Sequence, residues 1–185
     1  SAHFDETINA TRDRLRRLLN LDDDQDVLFL HGGARTQFFM VPMNLLRGGR
    51  AAYIDTGIWA HQAQEEARRF GNVDVLFSSK ASAYDRVPDN NSWSLHPDTK
   101  YLHYTSNNTV AGTEFHYTPD VPCWLVCDAS SDFLAREIDG SKYDIIYGGA
   151  QKNLGPAGVT IVVFRKSLLD ECDIDIPTML RYDVH

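Results

Sequence analysis

Short apolar runs recur along the chain at residues 27–30, 51–55, 73–77, 101–104, 123–127, 143–147 and 159–164, each closed by a polar or glycine-bearing turn. Runs of this length are strand-sized, and the last is rich in β-branched residues. Between them lie stretches with helical periodicity. Residues 59–70 end at Gly71, a common C-terminal stop, and 36–46 carry Pro42 and are expected to be helical near their start. At the beginning, Phe4, Ile8, Leu15, Leu18 and Leu19 fall at roughly helical spacing, with Arg12, Arg14, Arg16 and Arg17 mostly elsewhere around the cylinder. Strands that are apolar throughout, joined through helices, predict an α/β fold. The expected form is a three-layer sandwich around a mostly parallel mixed sheet buried on both faces. Residues 128–142 leave room for the crossover that parallel neighbours require. Residues 78–100, with Pro88, Pro97 and the Asn90-Asn91 pair, are expected to form a long loop. The end, Ile176-Pro177-Thr178-Met179-Leu180-Arg181-Tyr182, is expected to drift away from the sheet, as in a chain cut from something longer.

With 185 residues, 43% of them hydrophobic, the chain suits a single domain with a real core, and no internal repeat or boundary divides it. The 26 acidic against 18 basic residues give a charge of −8, which argues against binding nucleic acid, where a basic face must displace counterions from phosphates. No apolar run approaches the ~20 residues needed to cross a bilayer, and Ser1-Ala2-His3-Phe4-Asp5-Glu6 has no signal-peptide character. Cys123, Cys127 and Cys172 make an odd, sparse set, which fits a reducing cytoplasm better than a disulfide framework. His96, His103 and His116 lack metal-ligand spacing, so no metal site is expected.

In open parallel sheets, ligands sit at the carboxyl ends of strands. Four polar clusters follow expected strands: 32–35, 56–59, 128–131 and 148–153. If those strands are parallel, all four converge on one edge. In the last cluster a single lysine, Lys152, stands among small residues that let a planar ligand approach the backbone. A lysine desolvated there would have a depressed pKa and could act as an imine-forming amine or a general base. Asp128 ends an apolar run, where a carboxylate is costly unless a cation meets it; it serves equally well as a cap for the following turn. Gly32-Gly33-Ala34-Arg35 joins a strand to a helix start, where free amides and a guanidinium suit a phosphate. Trp59 could stack on a flat ring or belong to the core. Thr109 could hydrogen-bond a ligand or steady a turn.

At Gly149-Ala150-Gln151-Lys152-Asn153-Leu154-Gly155-Pro156-Ala157-Gly158 the sequence resembles the phosphoserine aminotransferase family, fold-type I enzymes dependent on pyridoxal 5′-phosphate. Further motifs carry the likeness across the chain. They are His31-Gly32-Gly33-Ala34-Arg35-Thr36-Gln37-Phe38, Thr56-Gly57-Ile58-Trp59, Ser106-Asn107-Asn108-Thr109 and Asp128-Ala129-Ser130-Ser131-Asp132. The resemblance implies that Lys152 holds the cofactor and moves the substrate Cα proton, while Asp128 keeps the pyridine nitrogen protonated. It implies that Trp59 stacks on the ring, that Thr109 bonds the phenolic oxygen, and that Ala34, Arg35 and Gln151 bind the phosphate. It further implies amino transfer between phosphoserine and 2-oxoglutarate, giving glutamate, in a cytoplasmic homodimer. On that likeness, residues 1–185 form the large domain alone. An N-terminal His-Arg pair and a small C-terminal domain would lie outside them. A related fold-type I enzyme, such as an alanine–glyoxylate-like aminotransferase or a desulfurase, and a non-catalytic remnant are the alternatives.

Overall fold

A computed structural model describes residues 1–90 and 92–185; Asn91, half of the pair in the expected long loop, lies outside the described residues. The chain order is α1 (Ala2–Leu18), β1 (Gln25–Leu30), α2 (Ala34–Leu45), β2 (Arg50–Asp55), α3 (Ile58–Ala67), β3 (Asn72–Ser78) and β4 (Thr99–Thr105). A small hairpin follows, β5 (Asn107–Asn108) with β6 (Thr113–Glu114), and then β7 (Trp124–Asp128), β8 (Ile145–Gly149) and β9 (Thr160–Arg165). Every expected apolar run is a strand, with ends displaced by a residue or two.

The main sheet has the order β1-β9-β8-β7-β4-β2-β3. Strand β9 runs antiparallel to both neighbours, and the remaining pairs are parallel. The sheet is therefore mixed but mostly parallel, and β1, β2, β4, β7 and β8 all end at the same edge. The central strands are buried along nearly their whole length, which is why their sequences are apolar on both faces. One face packs on Phe38, Val41 and Leu45 of α2 and Ala63 and Ala67 of α3. The other packs on Leu15 and Leu19 near the end of α1, with Phe115 and Phe133 from the irregular third layer. Each large apolar side chain buried in these layers stabilises the fold by about 1.5–3 kcal/mol. The β7–β8 crossover contains only turns and a short 3₁₀ segment at Gly140–Lys142. A buried side chain ties it down: Gln25 Nε2 donates to the carbonyls of Gly140 (2.9 Å) and Tyr143 (2.7 Å). No described helix is long and apolar enough to cross a membrane.

Two expectations are corrected. Helix α2 does not weaken after its start but runs through Pro42 to Leu45. Proline removes one backbone donor there, yet Val41 and Leu45 on either side are almost wholly buried against the sheet. Packing outweighs the missing bond, and the Leu46 amide still reaches the Pro42 carbonyl at 2.9 Å. The C-terminal segment does not drift away either. Tyr182 is only 3% exposed, and its hydroxyl donates to Gln37 Oε1 at 2.6 Å. Asn44 on α2 grips the same segment: Nδ2 donates to the carbonyls of Met40 and Leu180, both at 2.8 Å. Its Oδ1 accepts from the Tyr182 amide at 3.2 Å.

Asn44→Ala strips partners from the Leu180 carbonyl and the Tyr182 amide, so a loss of about 2–3 kcal/mol is expected in urea unfolding. Cleavage within residues 178–185 by a trace of protease should accelerate in parallel; unchanged stability would mean that the tail is held by Tyr182 packing alone.

Candidate active site

The site is assembled from the turns at the shared strand edge. After β1, Gly32 (φ +98°) and Gly33 (φ +75°) take left-handed conformations open mainly to glycine, and a side chain at Gly32 would run into the Thr36 hydroxyl. The turn delivers the chain into α2 with no side-chain cap; the Thr36 amide bonds the Gly33 carbonyl at 3.1 Å, which leaves the Ala34 and Arg35 amides for an anion. After β2, the chain enters α3 at Ile58, and the hairpin holds that start from outside. Asn108 Nδ2 donates to Thr56 Oγ1 at 3.1 Å, and its Oδ1 accepts from the Ala60 amide at 3.4 Å. Trp59 in this first turn is half-buried, and the Arg35 guanidinium carbon lies 6.0 Å from its ring centroid, within range of a cation–π contact. After β8, Gly148 passes so near Phe133 and the Ser130 backbone that a Cβ would crowd both. Asn153 Nδ2 then anchors the loop to the Phe133 carbonyl at 3.0 Å.

These turns enclose a cavity of about 330 Å³, large enough for a small phosphorylated ring. All seven residues singled out in the sequence line it: Ala34, Arg35, Trp59, Thr109, Asp128, Gln151 and Lys152. Phe38, Thr105 and Ser130, not singled out individually, line it too. Ser130 stands two residues after Asp128, a spacing at which a side-chain turn can be read from sequence. Thr105 carries no such signal, since only strand register brings it beside Asp128.

Asp128 is 3% exposed. Its Oδ1 accepts from the Ser130 amide (3.0 Å) and hydroxyl (2.6 Å), so it does cap the turn. Among the described residues Oδ2 has no hydrogen-bond partner. Burial pushes the carboxyl up to about 6; the Ser130 bonds pull the other way, and nearby Asp132 adds to the rise. Beneath it, Tyr147 pairs in register with Asp128 and shares a 2.8 Å hydrogen bond with His103 Nε2. Burial drives the His103 pKa down to about 3, so the imidazole is neutral and offers no countercharge. Lys152 departs from expectation. It is exposed rather than desolvated, as are Gln151, Asn153 and residues 155–158, because this loop runs along the open rim and not the floor.

Residues 1–176 match the class-V aminotransferase family, and the chain belongs to it. More particularly, it is 48% identical to the phosphoserine aminotransferase of Desulfotalea psychrophila, over 100% of this chain and 52% of that protein. Among solved structures, a phosphoserine aminotransferase from Bacillus circulans subsp. alkalophilus superposes with a TM-score of 0.94 at 44% identity, covering 99% of this chain and 51% of that one. The pyridoxal-phosphate-bound phosphoserine aminotransferase from Trichomonas vaginalis does so with a TM-score of 0.89 at 33% identity, over 98% and 52%. The chain spans about half the length of these relatives.

The raised carboxyl at Asp128 has a sign that stability can test. Between its ordinary value of 3.8 and about 6, the folded chain keeps a proton that the unfolded chain releases. Stability is therefore lost as pH rises through that window, by on the order of 3 kcal/mol in full. Asp128→Asn should unfold at higher denaturant than the wild type above pH 7, with the gap closing below pH 4; no gap at any pH would mean that the carboxylate is already compensated.

Proposed function

We propose that residues 1–185 are the cofactor-binding domain of a pyridoxal-5′-phosphate-dependent aminotransferase that exchanges an amino group between O-phospho-L-serine and 2-oxoglutarate. One observation carries this reading: an amine, a buried carboxylate with a free oxygen, an indole, a hydroxyl and an uncapped helix start face one cavity. The donor set fits the cofactor part by part. Asp128 Oδ2 is open to a protonated ring nitrogen, which would supply the cation that the buried carboxylate lacks. Trp59 offers a face to the ring, and Thr109 a hydroxyl to its phenolic oxygen. The α2 amides at Ala34 and Arg35, the Arg35 guanidinium and Gln151 form an anion site for the phosphate. Lys152 at the rim brings an amine to the aldehyde.

When bound, the cofactor supplies a pyridinium ring that accepts the electron pair left at a substrate Cα after deprotonation. The chain does the remainder. Lys152 would hold the cofactor through its ε-nitrogen, and its free amine would move the proton of the substrate Cα. Asp128, ionised beside the ring nitrogen, would keep a proton there. Trp59 fixes the plane of the ring and so the direction in which the Cα–H bond points. The choice of phosphoserine follows the names of the relatives. A homodimer is part of the proposal: Ile58 and Val110, chain neighbours of the lining residues Trp59 and Thr109, stand exposed, as do Gln151, Lys152, Asn153 and residues 155–158, a surface for a second copy to cover. So is a cytoplasmic setting, which suits three free thiols, two of them buried.

Mixing the protein with pyridoxal 5′-phosphate should give a visible absorbance band, and borohydride should fix the label to the peptide bearing Lys152. Lys152→Ala should take up none. Asp128→Asn should still bind, but its phosphoserine-dependent loss of the band should slow by about 100-fold or more. A wild-type chain that stays colourless, or a label on another lysine, overturns the reading.

A further inference from the structure

Among the described residues that line the cavity, one buried hydroxyl has no partner. Thr105 ends β4 and is the register partner of Asp128 on β7. The strands are parallel, so the two side chains leave the sheet on the same face, and both line the cavity. Thr105 is as buried as Asp128, at 3% exposure, and its Oγ1 is closed off from solvent with no hydrogen-bond partner. A buried hydroxyl without a partner destabilises a fold, and the valine that would avoid it has almost the same shape. The neighbouring carboxylate is the complementary case. Ser130 gives both its hydrogens to Asp128 Oδ1, and Oδ2 receives none among the described residues. An idle donor and an idle acceptor thus belong to register partners that line one cavity.

We infer that Thr105 is a positioning residue for Asp128: when the cavity is filled, its hydroxyl donates to the second carboxylate oxygen and fixes the carboxylate toward the ligand ring. The inference rests on the proposed cofactor. Ser130 alone leaves the carboxylate bonded on one side, free to swing about that oxygen. With Thr105 on the other side, both oxygens are tied, and the lone pair facing the cavity keeps one direction. Filling the cavity engages a bond that the empty site leaves unmade, so Thr105 favours the filled state without stabilising the empty one.

Thr105→Val and Thr105→Ser separate this role from a structural one, because the two readouts of the valine variant move in opposite directions. Without ligand, Thr105→Val should melt about 2–4 °C above the wild type, since it removes an unpaired buried hydroxyl. Its affinity for pyridoxine 5′-phosphate, which lacks the aldehyde and so does not engage Lys152, should fall about tenfold by calorimetric titration. Thr105→Ser, which keeps the hydroxyl, should bind within about twofold of the wild type. A ligand-free Thr105→Val that melts at or below the wild-type temperature overturns the assignment, as does unchanged affinity. A wild-type chain that binds neither pyridoxine 5′-phosphate nor pyridoxal 5′-phosphate overturns the proposed function and the Thr105 role together. Wild-type binding with an indifferent valine variant removes Thr105 alone.

Discussion

A carboxylate taken out of water at the end of a strand is among the costlier things a small domain can keep, and among the described residues no cation pairs with Asp128 to lower that cost. Ser130 supplies two hydrogens to one oxygen; the histidine below is neutral; the other oxygen looks into open space. The surroundings are arranged around this incomplete group. Gly148 is small so that the next loop can pass close by Ser130, and Tyr147 and His103 pair with each other beneath the floor. Such a site is built for occupation, and its instability when empty and its affinity when filled have one origin.

Sheet direction turns this local arrangement into a site. Because β1, β2, β4, β7 and β8 end at one edge, loops from positions more than a hundred residues apart in sequence meet around the same space. The single reversed strand, β9, lies between β1 and β8. It fills the gap in the sheet while sending its own carboxyl end the other way, so it adds width to the scaffold and leaves the cavity edge to its neighbours.

What the sequence discloses follows the physics of each element. Strands announce themselves because burial on both faces demands unbroken apolar runs, as at 51–55 and 143–147. The polar clusters that follow them are equally plain, and Lys152, Asp128, Trp59 and Arg35 all reach the cavity from such clusters. Three features are invisible at that level. Pro42 reads as a stop, and only the burial of its neighbours explains why α2 continues. Tyr182 lies in a tail with neither helical nor strand spacing, and its place is set by Asn44 and Gln37, far upstream. Thr105 directly follows the apolar run at 101–104 and gains meaning only from its partner across the ladder. Exposure of Lys152 is a fourth case: glycine-rich sequence marks where backbone comes close to a ligand, but not how much solvent reaches the side chain.

The small hairpin has a mechanical implication. Asn108 bonds the start of α3, where Trp59 sits, and Thr109 is the next residue in the chain. The indole on the wall and the hydroxyl at the edge are therefore two jaws of one caliper, joined through Asn108 and through the Thr113 hydroxyl, which donates to the Thr56 carbonyl. A displacement of either is passed to the other through a short ribbon that never enters the main sheet.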